Sequence, residues 1–149
     1  MDDILKEFLA ETSDQMEAVG AQLVQFERDP SDGRIIASIF RLVHSIKGTC
    51  GFLGLPRLET LAHAVENLMS KFRDGMPVTA EAVTLVLLTI DRIKDLLGQL
   101  EATEAEPEGE DRDLIGQLEF LSEGGGAVAE AVAEACPQLH VLLTERALF

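Results

Sequence analysis

This chain has no tryptophan, no tyrosine and only 7 phenylalanines among 149 residues, so its core has to be built from leucine, isoleucine, valine and alanine, a composition suited to packed helices. Basic residues are scarce as well: 12 Lys and Arg stand against 27 Asp and Glu, a formal charge of −15. Broad contact with a nucleic-acid backbone or an anionic lipid surface needs the opposite sign, so nucleic acid is not an expected partner. Cysteine is limited to Cys50 and Cys136, too few for a disulfide framework, and Cys50 is expected in the core as a packing residue. No run approaches the roughly 18 apolar residues of a membrane-spanning helix. The N-terminal MDDILKEF carries acids where a signal peptide would be basic. A cytoplasmic protein without membrane insertion is expected, of a length for one domain.

What is present is helical periodicity. Leu5, Phe8, Leu9, Met16, Val19, Leu23 and Phe26 recur at three- and four-residue spacing and predict a helix over about 3–27, which Pro30 to Gly33 interrupt. A second helix is expected over about 34–53, with Ile36, Ile39, Val43, Ile46, Cys50 and Leu53 as its buried stripe. Gly54 to Pro56 turn the chain into a third, over about 57–74, carrying Leu58, Leu61, Ala62, Val65, Leu68, Met69 and Phe72 and closed by Asp74, Gly75 and Pro77. Thr79 can cap a fourth over about 79–101, whose stripe is Val83, Val86, Leu87, Ile90, Ile93, Leu97 and Leu100.

Four amphipathic helices joined by short turns predict an all-α, antiparallel up-and-down four-helix bundle. The segment ATEAEPEGEDRD, 102–113, is acidic and broken by Pro107 and Gly109, and reads as a solvated connector. A short fifth helix is expected over about 111–122, using Leu114, Ile115, Leu118 and Leu121. The domain is drawn over residues 1–123, and residues 124–149, opening on a glycine run, read as a linker or tail whose helical content and role stay open.

The stretch FRLVHSIKGTCGFLG sets His44 beside the buried stripe of the second helix, with Lys47 at i+3, Gly48 at i+4 and Gly51 one turn further on the same face. Side chains lean toward the helix N-terminus, so the i+4 residue would normally roof the imidazole, and here it is a glycine. Each mid-helix glycine costs about 1 kcal/mol relative to alanine. Spacing alone allows two reasons for that cost. The bare backbone either admits a bulky partner to His44, with Lys47 supplying charge, or lets another helix pack closely beside an ordinary surface histidine.

On the third helix Glu59, His63 and Glu66 fall at i, i+4 and i+7, and antiparallel packing would bring His63 and Glu66 alongside His44. A carboxylate that accepts from one imidazole nitrogen fixes the tautomer and leaves the other nitrogen's lone pair free, which makes a better nucleophile. That suits phosphoryl transfer, where a protein mainly positions groups and offsets charge. Read alone, Glu66 and His63 are equally compatible with solvated helix surface.

HSIKG, then a phenylalanine-leucine-glycine turn, then LAHAVENLM about nineteen residues after the histidine, resembles a histidine-phosphotransfer (HPt) domain. More narrowly it is similar to the N-terminal P1 domain of the CheA family of chemotaxis histidine kinases, over roughly Met1 to Ser122. The resemblance implies that His44 is the phosphoacceptor, that Glu66 orients its imidazole, that Lys47 meets the phosphoryl charge and that His63 lines the site. Gly48 would be the open position, in a run that reads Gly48, Thr49, Cys50, Gly51 where the family has a small, glycine- or alanine-rich one.

It further implies a phosphoryl carrier in two-component chemotaxis signalling, placed in the cytoplasm at a chemoreceptor cluster. The carrier would accept the γ-phosphoryl of ATP from a CheA-type kinase domain, in the same longer protein or in trans, and pass it to an aspartate of a CheY-like response regulator. No segment here has the asparagine- and glycine-rich boxes of an ATP-binding domain, so the chain is not expected to be an autonomous enzyme. No cofactor is expected on this chain: ATP and Mg2+ belong to the kinase domain, and Mg2+ to the response regulator. The receiver domain is expected to dock over the second helix around Phe40, His44, Gly48 and Gly51.

The sequence admits two other readings. A carboxylate-bridged metal centre needs two Glu-x-x-His pairs, whereas this chain offers His63 and Glu66 in reversed order and 3 histidines in all, so no metal is expected. A non-catalytic helical adaptor or dimerisation module fits the amphipathic helices, and it requires no exposed, carboxylate-oriented histidine.

Overall fold

The periodic stripes all become helices. The computed structural model describes residues 3–124 and contains α1 (Asp3–Arg28), α2 (Gly33–Phe52), α3 (Pro56–Arg73), α4 (Ala80–Thr103) and α5 (Arg112–Ser122). Helix α1 packs on α2 and α4, and α3 packs on α2 and α4, which closes a ring of antiparallel neighbours; α5 lies against α3 and α4. This is the all-α up-and-down bundle with a short fifth helix. The linker or tail expected beyond Gly124 lies outside the described residues.

Ends of helices follow local chemistry. Asp32 caps α2 by accepting from the backbone N–H of Arg34 at 3.0 Å, and Thr79 caps α4 by accepting from Ala82 N–H at 3.1 Å. Gly54 and Gly75 take the left-handed conformation just past α2 and α3, at φ 72° and 105°. Each is followed by a backbone N–H that reaches back to a carbonyl in the last helical turn: Leu55 to Cys50 at 2.9 Å and Met76 to Lys71 at 3.0 Å. These are Schellman closures, which only glycine enters without strain. They make the α2–α3 and α3–α4 connections short enough to enforce antiparallel packing.

The buried band on α4 is wider than its predicted stripe, adding Leu85, Thr89 and Leu96, because α4 is covered by α1, α3 and α5 together. Cys50 lies in the core at 1% exposure. Burial first, then the carboxylates of Glu106 and Glu59, push its thiol up to about 12, so it packs as a small apolar residue.

The acidic connector corrects an expectation. Far from being simply solvated, it fastens α3, α4 and α5 together. The Glu106 carboxylate accepts from the N–H groups of Arg57 and Leu58, both at 2.9 Å, and so caps α3, whose own preceding residue Leu55 offers no side-chain acceptor. Asp111, only 2% exposed, accepts from Arg57 at 2.8 and 3.0 Å and from Arg92 of α4 at 2.8 Å. Arg92 also reaches Asp113 in the first turn of α5. A sequence window registers the local acids but not the two arginines, which lie 54 and 19 residues away.

Candidate functional site

The site sits where α2 and α3 pack against each other. Val43 and Ile46 are buried at 1% and 2%, and their side chains roll α2 so that His44, between them, faces outward with 63% of its side chain exposed. On α3, Val65 and Leu68 are likewise buried at 2% and 0%. Glu66 is carried with them to the helix interface, where its side chain is only 10% exposed.

Burying a carboxylate is costly unless donors surround it. Two do. His44 Nδ1 lies 2.5 Å from Glu66 Oε2, and Lys47 Nζ donates to Glu66 Oε1 at 2.8 Å. Burial pushes the Glu66 carboxyl up, but the hydrogen bonds from Lys47 and His44 outweigh it and hold the group below its ordinary value of 4.5. An ionised carboxylate can only accept, so Nδ1 carries the proton of this hydrogen bond and Nε2 presents its lone pair to solvent. The arrangement is a fixed, outward-facing nitrogen nucleophile.

The surroundings decide between the two reasons for the glycines. A β-carbon at Gly48 would meet nothing within 4 Å, so no helix of the described chain packs there and the position is open space beside the imidazole. Gly51 is different: a β-carbon there would sit 3.2 Å from Glu59 Oε2, so it accommodates the Glu59 carboxylate. Phe40 is half-buried and also engaged. Its ring lies 6.1 Å from that of His44 and within 11° of parallel, and the guanidinium carbon of Arg73 lies 4.2 Å from its centre.

His63 is exposed, and no hydrogen bond or ion pair joins it to Glu66 or His44. Two residues near the site were missed from sequence. Phe52, 82% exposed, follows His44 and Gly48 at successive four-residue steps, and its absence from the buried stripe was a usable signal. Arg73 carried no signal, because only the pairing of α2 with α3 brings it to Phe40. Among the described residues no three His, Cys, Asp or Glu side chains converge as a metal ion would need, and no helix is long and apolar enough to cross a membrane.

A family model described as "Hpt domain" matches residues 3–103. The chain is 34% identical over 123 residues to the chemotaxis protein CheA of Halobacterium salinarum, covering 81% of this chain and 18% of that protein. It is 29% identical over 143 residues to the sensor histidine kinase CheAY of Helicobacter pylori, covering 93% and 18%. The chain thus spans under a fifth of the length of these relatives. Among solved structures, the phosphorylated P1 domain of CheA3 from R. sphaeroides, crystallised in complex with CheY6, superposes with a TM-score of 0.75 at 29% identity, over 83% of this chain and 98% of that one. The solution structure of a histidine phosphotransfer domain of CheA gives 0.74 at 24% identity, over 81% and 92%, which shows the same fold.

Proposed function

The chain belongs to the Hpt domain family, and from that premise we propose that it is a phosphoryl carrier in chemotaxis signalling, with His44 as the phosphoacceptor. The observation that carries this reading is an imidazole with 63% of its side chain exposed whose Nδ1 is held by a buried carboxylate at 2.5 Å. The donor is ATP bound with Mg2+ on a CheA-type kinase domain. The acceptor is an aspartate on a CheY-like receiver domain with its own Mg2+. Support comes from the relatives named as CheA and as a sensor histidine kinase, and from a structural neighbour solved as a phosphorylated P1 domain with a CheY partner. The setting is the cytoplasm, at a chemoreceptor cluster. A purely structural adaptor is disfavoured, because it has no use for an exposed histidine held in this way.

In the transfer step the Nε2 lone pair of His44 forms a bond to the γ-phosphorus while the bond from phosphorus to the bridging oxygen breaks, and ADP leaves with that electron pair. The imidazole becomes positively charged and shares its Nδ1 proton with the Glu66 carboxylate, which offsets the new charge where it develops. In the onward step the N–P bond breaks with its electron pair returning to Nε2, and an aspartate oxygen of the receiver bonds to phosphorus. Lys47, tied to Glu66 at 2.8 Å, holds the orienting carboxylate in place.

The test is transfer of labelled phosphate from ATP by a CheA-type kinase domain, with the label on this chain acid-labile and base-stable, as an N-phosphohistidine must be. Glu66→Ala is expected to slow labelling about 10- to 100-fold, by analogy with the loss when the carboxylate behind a metal-bound imidazole is removed, with a much smaller effect on melting temperature. An unchanged rate would reduce Glu66 to a structural charge.

For receiver docking the geometry favours Gly48 and the exposed Phe52 over Gly51 and Phe40, both of which already have neighbours inside the molecule. Gly48→Leu is expected to stabilise the helix by about 0.5–1 kcal/mol, because it replaces the poorer helix former in open space. The same change should slow transfer to the receiver about tenfold, since the added side chain fills the space a docked partner needs. Faster or unimpaired transfer in a stabilised variant would remove Gly48 from the docking face.

A further inference from the structure

The cation expected to meet an arriving phosphoryl group, Lys47, is already engaged. Its Nζ donates to Glu66 Oε1 at 2.8 Å and its side chain is 26% exposed, so the two charges largely cancel at close range. On a chain of formal charge −15 an approaching phosphate needs an uncompensated cation near the acceptor.

Arg73, in the last turn of α3, supplies one. It is exposed, and among the described residues no carboxylate pairs with it. Its guanidinium carbon lies 4.2 Å from the centre of the Phe40 ring, and that ring lies 6.1 Å from the imidazole of His44 in a near-parallel stack. The guanidinium therefore stands no more than about 10 Å from the imidazole centre. An aromatic face holds a cation in place without neutralising it, which an ion pair would do. Among the described residues no hydrogen bond occupies the N–H edges of its planar fork, and that edge matches two oxygens of a phosphoryl group. Arg41 lies one turn before His44 on α2 and is exposed too, but among the described residues no contact of this kind seats its side chain.

Resting on the acceptor reading of His44, we infer that Arg73 is the phosphoryl-binding residue of this site. It engages the phosphoryl oxygens as the group reaches Nε2 and holds them on the phosphohistidine, and Phe40 is the positioning residue that seats it. The ligand is thus the phosphoryl dianion itself, whichever donor delivers it.

A small donor separates this role from docking of a protein. With phosphoramidate, the His44 Nε2–P bond forms as the P–N bond of the donor breaks, and ammonia leaves with that electron pair from a nitrogen already protonated. Labelling of the full chain would be measured with phosphoramidate and, in parallel, with the kinase domain and ATP, for wild type, Arg73→Gln, Arg73→Lys, Phe40→Leu and Lys71→Ala. The last removes an exposed cation two residues away that has no such contact.

Arg73→Gln, which keeps length but not charge, is expected to slow labelling about three- to tenfold with both donors. Arg73→Lys, which keeps the charge but not the fork, should recover part of the loss, Phe40→Leu should fall between Arg73→Gln and wild type, and Lys71→Ala should stay near wild type. The gap should narrow as salt rises, because an exposed charge is screened; a structural staple would show neither the lysine rescue nor the salt dependence. Arg73→Gln indistinguishable from Lys71→Ala, on a wild type that does label, would overturn the role of Arg73 alone. Absence of label on wild type with both donors would overturn the acceptor reading, and this inference with it.

Discussion

His44→Gln is expected to abolish phosphoryl labelling, to below about one thousandth of wild type, while leaving the melting temperature within about 2 °C. Both halves follow from the geometry. His44 is a surface side chain, 63% exposed, whose main polar contact inside the protein is the hydrogen bond to Glu66. Glutamine can still donate an amide N–H to that carboxylate, so the buried charge keeps a partner. What glutamine lacks is a nucleophilic nitrogen, because its amide lone pair is delocalised into the carbonyl. His63→Gln is the matched control: it removes an exposed imidazole that no carboxylate of the described residues orients, and it should leave labelling within about twofold of wild type. Label retained in His44→Gln and lost in His63→Gln would move the acceptor to α3 and sink the proposed site.

The largest effect on stability is expected at Asp111. Asp111→Ala should destabilise the fold by about 2–4 kcal/mol at pH 7, somewhat under the 3–5 typical of breaking a fully buried ion pair. The discount reflects the arginines left behind, Arg57 and Arg92, whose side chains keep 17% and 32% exposure and can recover some hydration. The pH dependence has a definite sign. Hydrogen bonding from Arg57, together with that from Arg92, outweighs burial and holds the Asp111 carboxyl below its ordinary value of 3.8. Its contribution is therefore complete above that value and is lost as pH falls through the lower, folded-state value. The gap between wild type and Asp111→Ala in urea titrations should thus stay constant from pH 7 to about pH 5 and shrink below pH 4. A gap that does not close in acid would mean that the loss comes from packing and not from charge. Phosphoryl labelling of the folded variant should change little, because Asp111 fastens the end of α3 remote in sequence from Glu66.

Much of the architecture was legible because it is local. Helix existence followed from apolar spacing, and the ends followed from Thr79, Gly54 and Gly75, each acting on backbone groups within a few residues. The candidate site was half legible. The spacing of His44, Lys47, Gly48, His63 and Glu66 marked the face, but not that Lys47 would bind the orienting carboxylate, that His63 would stand apart from it, or that Gly51 would shelter Glu59. The acidic connector was misread for the same reason: Glu106 and Asp111 look solvated until Arg57 and Arg92 are brought to them.

By itself, then, the sequence determined an aliphatic, acidic, all-helical chain with a side-chain-free position one turn from one histidine, since composition, periodicity and the lack of a side chain at Gly48 are properties of neighbouring residues; that the position is open was decided by the packing. Only the tertiary structure decided which charges cancel and which stay free. Lys47 is tied to Glu66, while Arg73 rests on Phe40 with no carboxylate paired to it among the described residues. Electrostatic pairing depends on distances across α2 and α3, and packing, not spacing along the chain, sets those distances.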